Sequence, residues 1–477
     1  MRRIAPVAFF LLLVLSAGSA TAFADTIVLK NGRRIVADSV VETDDHVSYQ
    51  TPAGELTLPR SMVERVEKDN FSPTYHHGDA PNLTSPHVEM PHSTGDVANA
   101  VVRDGSVDNG YLARLEGQAR SGGAEDIARV TTAHYAAAQF LIAKGDFDHA
   151  GEHYRRALEF APDNVPLLLN LAILRLRQSQ FTAAIEPLER AKKISPDSPD
   201  VAKLLGWAYY DSNRLNDAVN EWQRSVKLKP DAEVTSALAK AQRDRDEETD
   251  YREGETTHFS VKYSGNANPD LARSILYALE QHYRDLESQL DYTPPEPVSV
   301  ILYTNQAFAD ITRAPGWAGA VNDGRIRVPV QGLITVTPEL SRVLKHELTH
   351  SFVAQKTRGR APTWLQEGLA QWMEGRRSAE YATSLVQIYD KSSAPSFATM
   401  EGSWMSLSGD SVTYAYAWAL AAVEEIINAG GMGDIERLLD RIATEPSTET
   451  ALRDSTRMDY AELAQQTANY LRHEYTR

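Results

Sequence analysis

Cysteine is absent from all 477 residues, so the chain can form no disulfide and can carry no lipid on a cysteine. Positive charge is also scarce, because 49 lysines and arginines stand against 65 aspartates and glutamates, which gives a formal net charge of −16. A balance this acidic argues against nucleic acid or an anionic membrane surface as the main partner. Beyond the first 24 residues, no apolar run approaches the ~18 residues that a membrane span requires. The sequence therefore predicts no transmembrane span in the mature chain.

The first 24 residues have the pattern of an export signal. Arg2 and Arg3 give a basic start, residues 4–15 are almost wholly apolar, and an A-F-A triplet at 22–24 is a small-residue cleavage site. We expect cleavage before Asp25 and a periplasmic or secreted bacterial protein. A signal anchor that is never cleaved is the alternative. The lack of cysteine excludes a lipoprotein.

Length and patterning predict several domains, since ~150 residues per domain gives about three. Residues 25–68 alternate like short strands, and Asn31-Gly32 is a strong hairpin signal. We expect a small all-β module there, a β-meander or an SH3-like barrel, with a docking role because it holds no catalytic constellation. Residues 69–108 show no periodicity and are predicted to form a flexible linker.

The middle of the chain repeats with a period of 34 residues. Proline followed by aspartate recurs in one register, and small residues recur in another. The positions concerned are Pro162, Pro196 and Pro230, then Ala150, Ala184 and Ala218, then Ala157, Ala191 and Ser225. This is the tetratricopeptide period, in which small residues lie where paired helices approach closely. An all-α solenoid is predicted over residues 109–247, and it is either a spacer or a groove for a protein partner.

A charged stretch, Asp244–Glu255, is predicted to link the solenoid to a C-terminal domain over 248–477. A polypeptide starting near Asp250 is therefore expected to fold alone. Strand and helix patterns alternate at the start of this domain and predict an α+β fold. The last of these strands contains Pro329, which cannot donate to a ladder and so favours an edge position.

Two histidines mark a candidate metal site in this domain. His346 and His350 belong to an H-E-x-x-H motif inside a segment predicted to be helical, with Thr337 as its N-cap. Leu340, Leu344, Leu348 and Phe352 form an apolar stripe on one side of that helix. The histidines project together from the opposite side, where two imidazoles one turn apart can hold one metal ion, most commonly zinc. Glu347 flanks the pair as a base for an attacking water.

A third metal ligand is expected from a second helix. Sixteen residues separate His350 from Glu367, which is enough for a loop and the early turns of a returning helix. Thr363 and Gln366 form an S/T-x-x-E/Q capping box that is predicted to begin it. Glu367 is then placed to approach the metal from outside the first helix.

H-E-L-T-H followed by W-L-Q-E-G-L-A-Q resembles the gluzincin metallopeptidases. It is most similar to the bacterial peptidase MA-like domains that are often joined to tetratricopeptide repeats. The resemblance implies a zincin-like α+β domain with one zinc ion per chain, held by His346, His350 and Glu367, and with Glu347 as general base. It also implies that Tyr416 stabilises the oxyanion.

The same resemblance suggests finer features of the site. Gln371 or Glu374 would orient a ligand imidazole, although the thermolysin-type aspartate is replaced at 371 by glutamine. Residues 319–328 would border an extended substrate. Because the G-A-M-E-N motif of aminopeptidase N is not reproduced in that stretch, an endopeptidase is favoured. The competing hypothesis is an inactive envelope adaptor, in which the repeats bind a protein partner and the metal domain is structural.

Overall fold

The structure is a computed structural model of the chain. It describes residues 25–30, 34–37, 39–43, 46–51, 54–67, 97, 100–103, 105–264, 269–304, 307, 320–322, 324–330, 333, 335–402, 404 and 410–475. The predicted export signal at 1–24 and most of the predicted linker lie outside these ranges. Within them, no helix combines the length and the apolar character that crossing a bilayer requires.

The N-terminal module contains two three-stranded antiparallel sheets, in the strand orders β2-β1-β6 and β3-β4-β5. Its described strands are β1 Asp25–Leu29, β2 Arg34–Ala37, β3 Ser39–Glu42, β4 His46–Thr51, β5 Gly54–Pro59 and β6 Val63–Glu67. Alternate residues point inward from both sheets, so that Ile27, Val47 and Val63 share one small core. The all-β prediction for this module is confirmed.

The end of the predicted linker is structured. Strands β7 (Val102–Arg103) and β8 (Ser106–Val107) pair antiparallel. Val97 and Val101 are buried in a cluster with the first helices that follow. The prediction of a flexible linker up to residue 108 is therefore wrong at its C-terminal end, where apolar residues spaced four apart pack instead.

The repeats form the predicted helical solenoid. Its helices are α1 Asn109–Ala119, α2 Ala124–Ala143, α3 Phe147–Phe160, α4 Val165–Arg177, α5 Phe181–Ile194, α6 Pro199–Asp211, α7 Leu215–Leu228 and α8 Ala232–Glu248. The periodic small residues are buried, as close helix packing requires. Among the equivalent positions of the three repeats, only the third has a glycine, Gly206. An added Cβ there would lie 2.3 Å from the Trp222 ring, so the position requires glycine.

A five-stranded sheet opens the C-terminal domain, in the order β12-β13-β11-β10-β9. The strands are β9 Tyr251–Glu255, β10 Phe259–Ser264, β11 Val298–Tyr303, β12 Val321–Asn322 and β13 Ile326–Pro329. The central pairs are parallel, whereas β9 and β12 run antiparallel at the two edges. The helices are α9 Pro269–Leu290, α10 Pro338–Lys356, α11 Thr363–Met373, α12 Ala382–Asp390, α13 Asp410–Gly430, α14 Met432–Ile442, α15 Thr448–Thr456 and α16 Tyr460–Tyr475.

Two expectations about this region are wrong. The charged stretch Asp244–Glu255 is not a linker, because it comprises the last turn of α8 and the whole of β9. Strand β13 is not an edge strand, because it pairs with β11 on one side and β12 on the other. Pro329 is tolerated because β12 ends its pairing at Arg327, before the proline is reached.

Candidate metal centre

Helix α10 carries the H-E-x-x-H motif in the predicted orientation. The Thr337 hydroxyl accepts a hydrogen bond from the backbone N–H of Leu340 at 3.1 Å, so the predicted N-cap is present. The stripe from Leu340 to Phe352 is buried in the main core of the domain. The stripe fixes the rotation of the helix, and the histidines therefore face away from the stripe, towards α11.

Helix α11 supplies Glu367, but it does not begin with the predicted capping box. Thr363 is already helical, and its N–H and that of Trp364 donate to the carbonyls of Glu401 and Met400. The Gln366 side chain donates to the Ala361 carbonyl instead of reaching the cap. A neighbouring loop thus satisfies the first N–H groups of α11, which short-range pattern reasoning does not detect.

The three proposed ligands converge. One ligand atom from each of His346, His350 and Glu367 can be chosen so that all lie within 4.8 Å of one another. The closest recorded approaches are 3.6 Å from His346 Nε2 to Glu367 Oε2 and 3.8 Å from His350 Nε2 to Glu367 Oε1. Glu367 is fully buried and Glu347 is 8% exposed, so both carboxylates are largely shielded from solvent.

The electrostatics of the group call for a positive charge. The pKa of His346 is raised to about 10, because its contacts with Glu367 and Glu374 and the charge of Glu347 outweigh the lowering effect of burial. Three carboxylates are thus gathered around two imidazoles. Buried carboxylates are stable only when paired or when they coordinate a cation.

Glu374, and not Gln371, lies beside a ligand imidazole. Glu374 Oε1 is 3.4 Å from His346 Nδ1 and accepts from Arg376 Nε at 2.8 Å. Gln371 donates to the carbonyl oxygens of Glu367 and Tyr416, each at 3.1 Å, and so joins α11 to α13. Of the two candidates, Glu374 is therefore the residue placed to orient the His346 ring.

Tyr416 lies on α13, next to the helix that carries Glu367. Its ring meets Trp404 edge-on, with 5.0 Å between the ring centroids, and its backbone carbonyl accepts from Gln371. Its role at an oxyanion stays a prediction.

Asn322 is a site residue that sequence reasoning missed. It ends the edge strand β12, is 1% exposed, and donates to the backbone carbonyl of Glu347 at 2.8 Å and to Ser351 Oγ at 2.7 Å. The edge strand is thereby tied to the middle of α10, the helix that carries the candidate ligands His346 and His350. A lone asparagine before a turn at Gly324 gives no sequence signal for such a contact.

The glycine of the W-L-Q-E-G block has a packing role. A Cβ on Gly368 would lie 2.4 Å from the Ala419 carbonyl oxygen, so only glycine lets α11 approach α13 closely.

We expect Gly368→Ala to lower the free energy of unfolding by ~1–3 kcal/mol or more and to weaken metal binding, because α11 must move away from α13. Gly117→Ala is the matched control, since that glycine lies in α1 with nothing within 4 Å of an added Cβ. It should raise stability by up to ~1 kcal/mol. Chemical denaturation of both variants measures the difference, and equal stabilities would contradict the packing role.

A helix bearing H-E-x-x-H, followed by a helix that brings a glutamate to the same point, is the arrangement of candidate ligands that the sequence predicts. Residues 280–473 match the family model described as Peptidase MA superfamily. Residues 135–199 and 175–241 match two models described as Tetratricopeptide repeat. The chain therefore carries a Peptidase MA superfamily domain preceded by tetratricopeptide repeats, which confirms the resemblance noted in the sequence.

No curated protein matches the chain. Solved structures that are similar in part include MamA from Desulfovibrio magneticus RS-1, at 18% identity over 32% of this chain and 88% of that one, with a TM-score of 0.24. The first TPR domain of human RPAP3 is 21% identical over 24% of this chain and 89% of its own, with a TM-score of 0.22. A Thermobaculum terrenum O-GlcNAc transferase mutant is 18% identical over 47% of this chain and 44% of its own, with a TM-score of 0.22.

Proposed function

We propose that the chain is an exported zinc-dependent metallopeptidase, acting as an endopeptidase. The observation that carries this proposal is the convergence of His346, His350 and Glu367 in a domain that matches the Peptidase MA superfamily. Glu347 adds an acid–base group on the same helix. Each of these side chains is held by packed secondary structure, which is how a preorganised site is built.

The donor set fits zinc. Two imidazoles and one carboxylate are a ligand set that catalytic zinc uses while keeping a further position open. When bound, zinc acidifies water and polarises a carbonyl group. Glu374 beside His346 Nδ1 fixes the ring so that Nε2 faces the ligand group.

The protein's own groups account for the remaining chemistry. Glu347 accepts a proton from the attacking water as a general base and returns it to the departing amine. Among the described strands, β12 pairs with β13 on one side and forms the edge of the sheet on the other, next to α10. An extended peptide that pairs with this edge would lie beside Glu347.

Endopeptidase action and export rest on sequence features. The stretch before β13 lacks the motif with which aminopeptidase N holds a free amino terminus. The basic and apolar start of the chain, with its A-F-A triplet, supports export to a bacterial periplasm or beyond. The repeats are modules of protein–protein interaction, and we propose that they recruit a substrate or a partner.

The second candidate function is an inactive envelope adaptor. The same repeats would bind a partner, and the metal would only stabilise the C-terminal domain. Glu347 favours the enzyme, because a structural metal site has no use for a carboxylate between its two histidines.

We expect the purified protein to contain about one zinc ion per chain, and His346→Ala or His350→Ala to lose it. Glu367→Ala should weaken binding and not abolish it, since both imidazoles remain. His473→Ala, an exposed histidine of α16, is the control and should keep its zinc. Elemental analysis after dialysis measures the content. A full zinc complement in both ligand-histidine variants would remove the site.

A further inference from the structure

The turns between the paired helices of successive repeats line one edge of the solenoid. Gly145, Ser179 and Asn213 are equivalent positions, 34 residues apart, and each has a left-handed backbone with φ of 77°, 56° and 60°. Equivalent turns in stacked repeats lie in a row. This row, which we call the turn edge, contacts the C-terminal domain in every one of these repeats.

The first turn contacts the end of the metal-binding helix. Arg358, two residues beyond α10, donates to the Gly145 carbonyl at 3.2 Å, and its guanidinium lies 3.9 Å from the centroid of the Phe147 ring. An added Cβ on Gly145 would lie 2.6 Å from Thr444 Cγ2, which follows α14. This close approach, together with the positive φ, admits only glycine.

The second and third turns contact the sheet. The Thr182 backbone N–H donates to Glu296 Oε1 at 2.7 Å, just before β11. Asn213 Oδ1 accepts from Arg325 Nη2 at 2.7 Å, and its amide lies 3.4 Å from Ser260 Oγ on β10. The contact therefore runs from α10 to the β12–β13 hairpin.

Arg325 precedes β13 and is 1% exposed. Besides Asn213, it donates to Glu248 Oε2 at 2.8 Å and approaches Asp244 Oδ2 at 3.4 Å, both on α8. Burying a guanidinium is unfavourable unless its charge and its N–H groups are matched by partners. For Arg325, the solenoid supplies both the acidic partners on α8 and the Asn213 acceptor.

Arg327 is on the same face of β13, two residues later, and is fully buried. Its Nη1 and Nη2 donate to the two oxygens of Asp244, each at 2.9 Å, in a bidentate pair. It also donates to Tyr303 of β11 at 2.7 Å and to Tyr210 of α6 at 3.3 Å. Arg327 therefore contacts two solenoid helices, α6 and α8, and strand β11 of the sheet.

The hairpin that carries these arginines also holds the metal-binding helix. Asn322, at the end of β12, donates to the Glu347 carbonyl at 2.8 Å. Contacts therefore run without a gap from α8 through Arg325 and Arg327 to β12 and on to α10. A second set joins the first turn to the end of α10 through Arg358.

We propose that the repeats act as an intramolecular clamp on the metal centre, and that Arg325 and Arg327 are positioning residues for the edge strand and α10. The solenoid then supports the geometry of the site and is not a separate module that only recruits a substrate. A protein partner must use the helix faces, because the turn edge is already occupied. The inference rests on the proposed function only in that the clamped site is the metal centre.

Asn213→Gly tests the clamp without disturbing the backbone, because glycine readily adopts φ near +60°. The variant removes the acceptor for Arg325 and the two weak 3.4 Å contacts of the amide, with Ser260 Oγ and Glu253 Oε1, and it leaves both acids of α8 in place. Ser179→Gly is the matched control, the same substitution type at the same repeat position, where the contact is made by Thr182 instead. Both variants replace an L-residue by glycine and so add a similar backbone entropy to the unfolded chain.

We expect amide hydrogen exchange of residues 320–330 to be ~10-fold faster in Asn213→Gly than in Ser179→Gly, as the loss of one hydrogen bond to a charged group implies. Zinc affinity, measured by competition with a chelator, should fall by up to ~10-fold. Arg358→Gly, also at a left-handed position, should speed exchange in the last turns of α10. Unchanged exchange and zinc affinity in both Asn213→Gly and Arg358→Gly would overturn the clamp.

These measurements need no turnover. A protein that binds zinc but cleaves no peptide can still support the clamp, and the proposed peptidase activity alone would be lost. Conversely, a failed clamp leaves a zinc peptidase with independent repeats.

Discussion

Glu347→Gln should lower peptide hydrolysis by ~10²–10⁴-fold while leaving zinc content and stability unchanged. The substitution keeps the length and shape of the side chain, and it leaves His346, His350 and Glu367 as they are. What it removes is the carboxylate that accepts the proton of the attacking water. Hydrolysis of an unstructured protein such as casein gives the rate, and elemental analysis gives the zinc content.

Glu339→Gln is the matched control for this experiment. Glu339 lies exposed in the first turn of the same helix, about two turns from His346, so Glu339→Gln should retain full activity. Glu347→Gln should also retain bound substrates, because the substitution leaves β12, the proposed binding edge, intact. If the wild type and Glu347→Gln both cleave nothing from a broad peptide library and rescue a deletion strain equally, the adaptor is the better account.

The candidate metal centre could be predicted from sequence because its signals are local. The cap at Thr337, the apolar stripe and the paired histidines all lie within one helix, where spacing alone fixes the face. Glu367 required one further step, since a second helix had to return to the first. Tyr416 and the choice between Gln371 and Glu374 depend on how α11 meets α13, and spacing on one helix does not determine that.

The union of solenoid and sheet could not be predicted for the opposite reason. Asp244 and Arg327 are 83 residues apart, and a charged run such as the one containing Asp244 usually lies in solvent. One signal was present. Arg325 and Arg327 alternate with Ile326 and Val328 in a short strand, which indicates an apolar face and a charged face. Buried arginines need acidic partners, and the charged stretch that was predicted to be a linker supplies them in Asp244 and Glu248.

The C-terminal domain depends on α8 for its own core. Asp244 is fully buried and accepts hydrogen bonds from both Arg327 and Tyr210. Its carboxylate balances the charge of the fully buried Arg327 guanidinium. Glu248 accepts hydrogen bonds from Arg325, Lys262 and the Tyr303 hydroxyl. Without these two acids, Arg325 and Arg327 would be buried without a counter-charge.

A polypeptide starting at Asp250 should therefore fail to fold, contrary to the expectation that a charged linker precedes the domain. In the full chain, Asp244→Ala should cost ~3–5 kcal/mol, because removing one partner of a buried ion pair strands the other. That is a large share of the ~5–15 kcal/mol that stabilises a typical domain. Asp246→Ala is the control, since Asp246 is exposed on the same helix and pairs at the surface with Arg245, so it should change stability by at most ~1 kcal/mol. Urea denaturation followed by circular dichroism compares the two. A folded, zinc-binding fragment from Asp250, or equal stability of the two variants, would show that the domain supplies its own core.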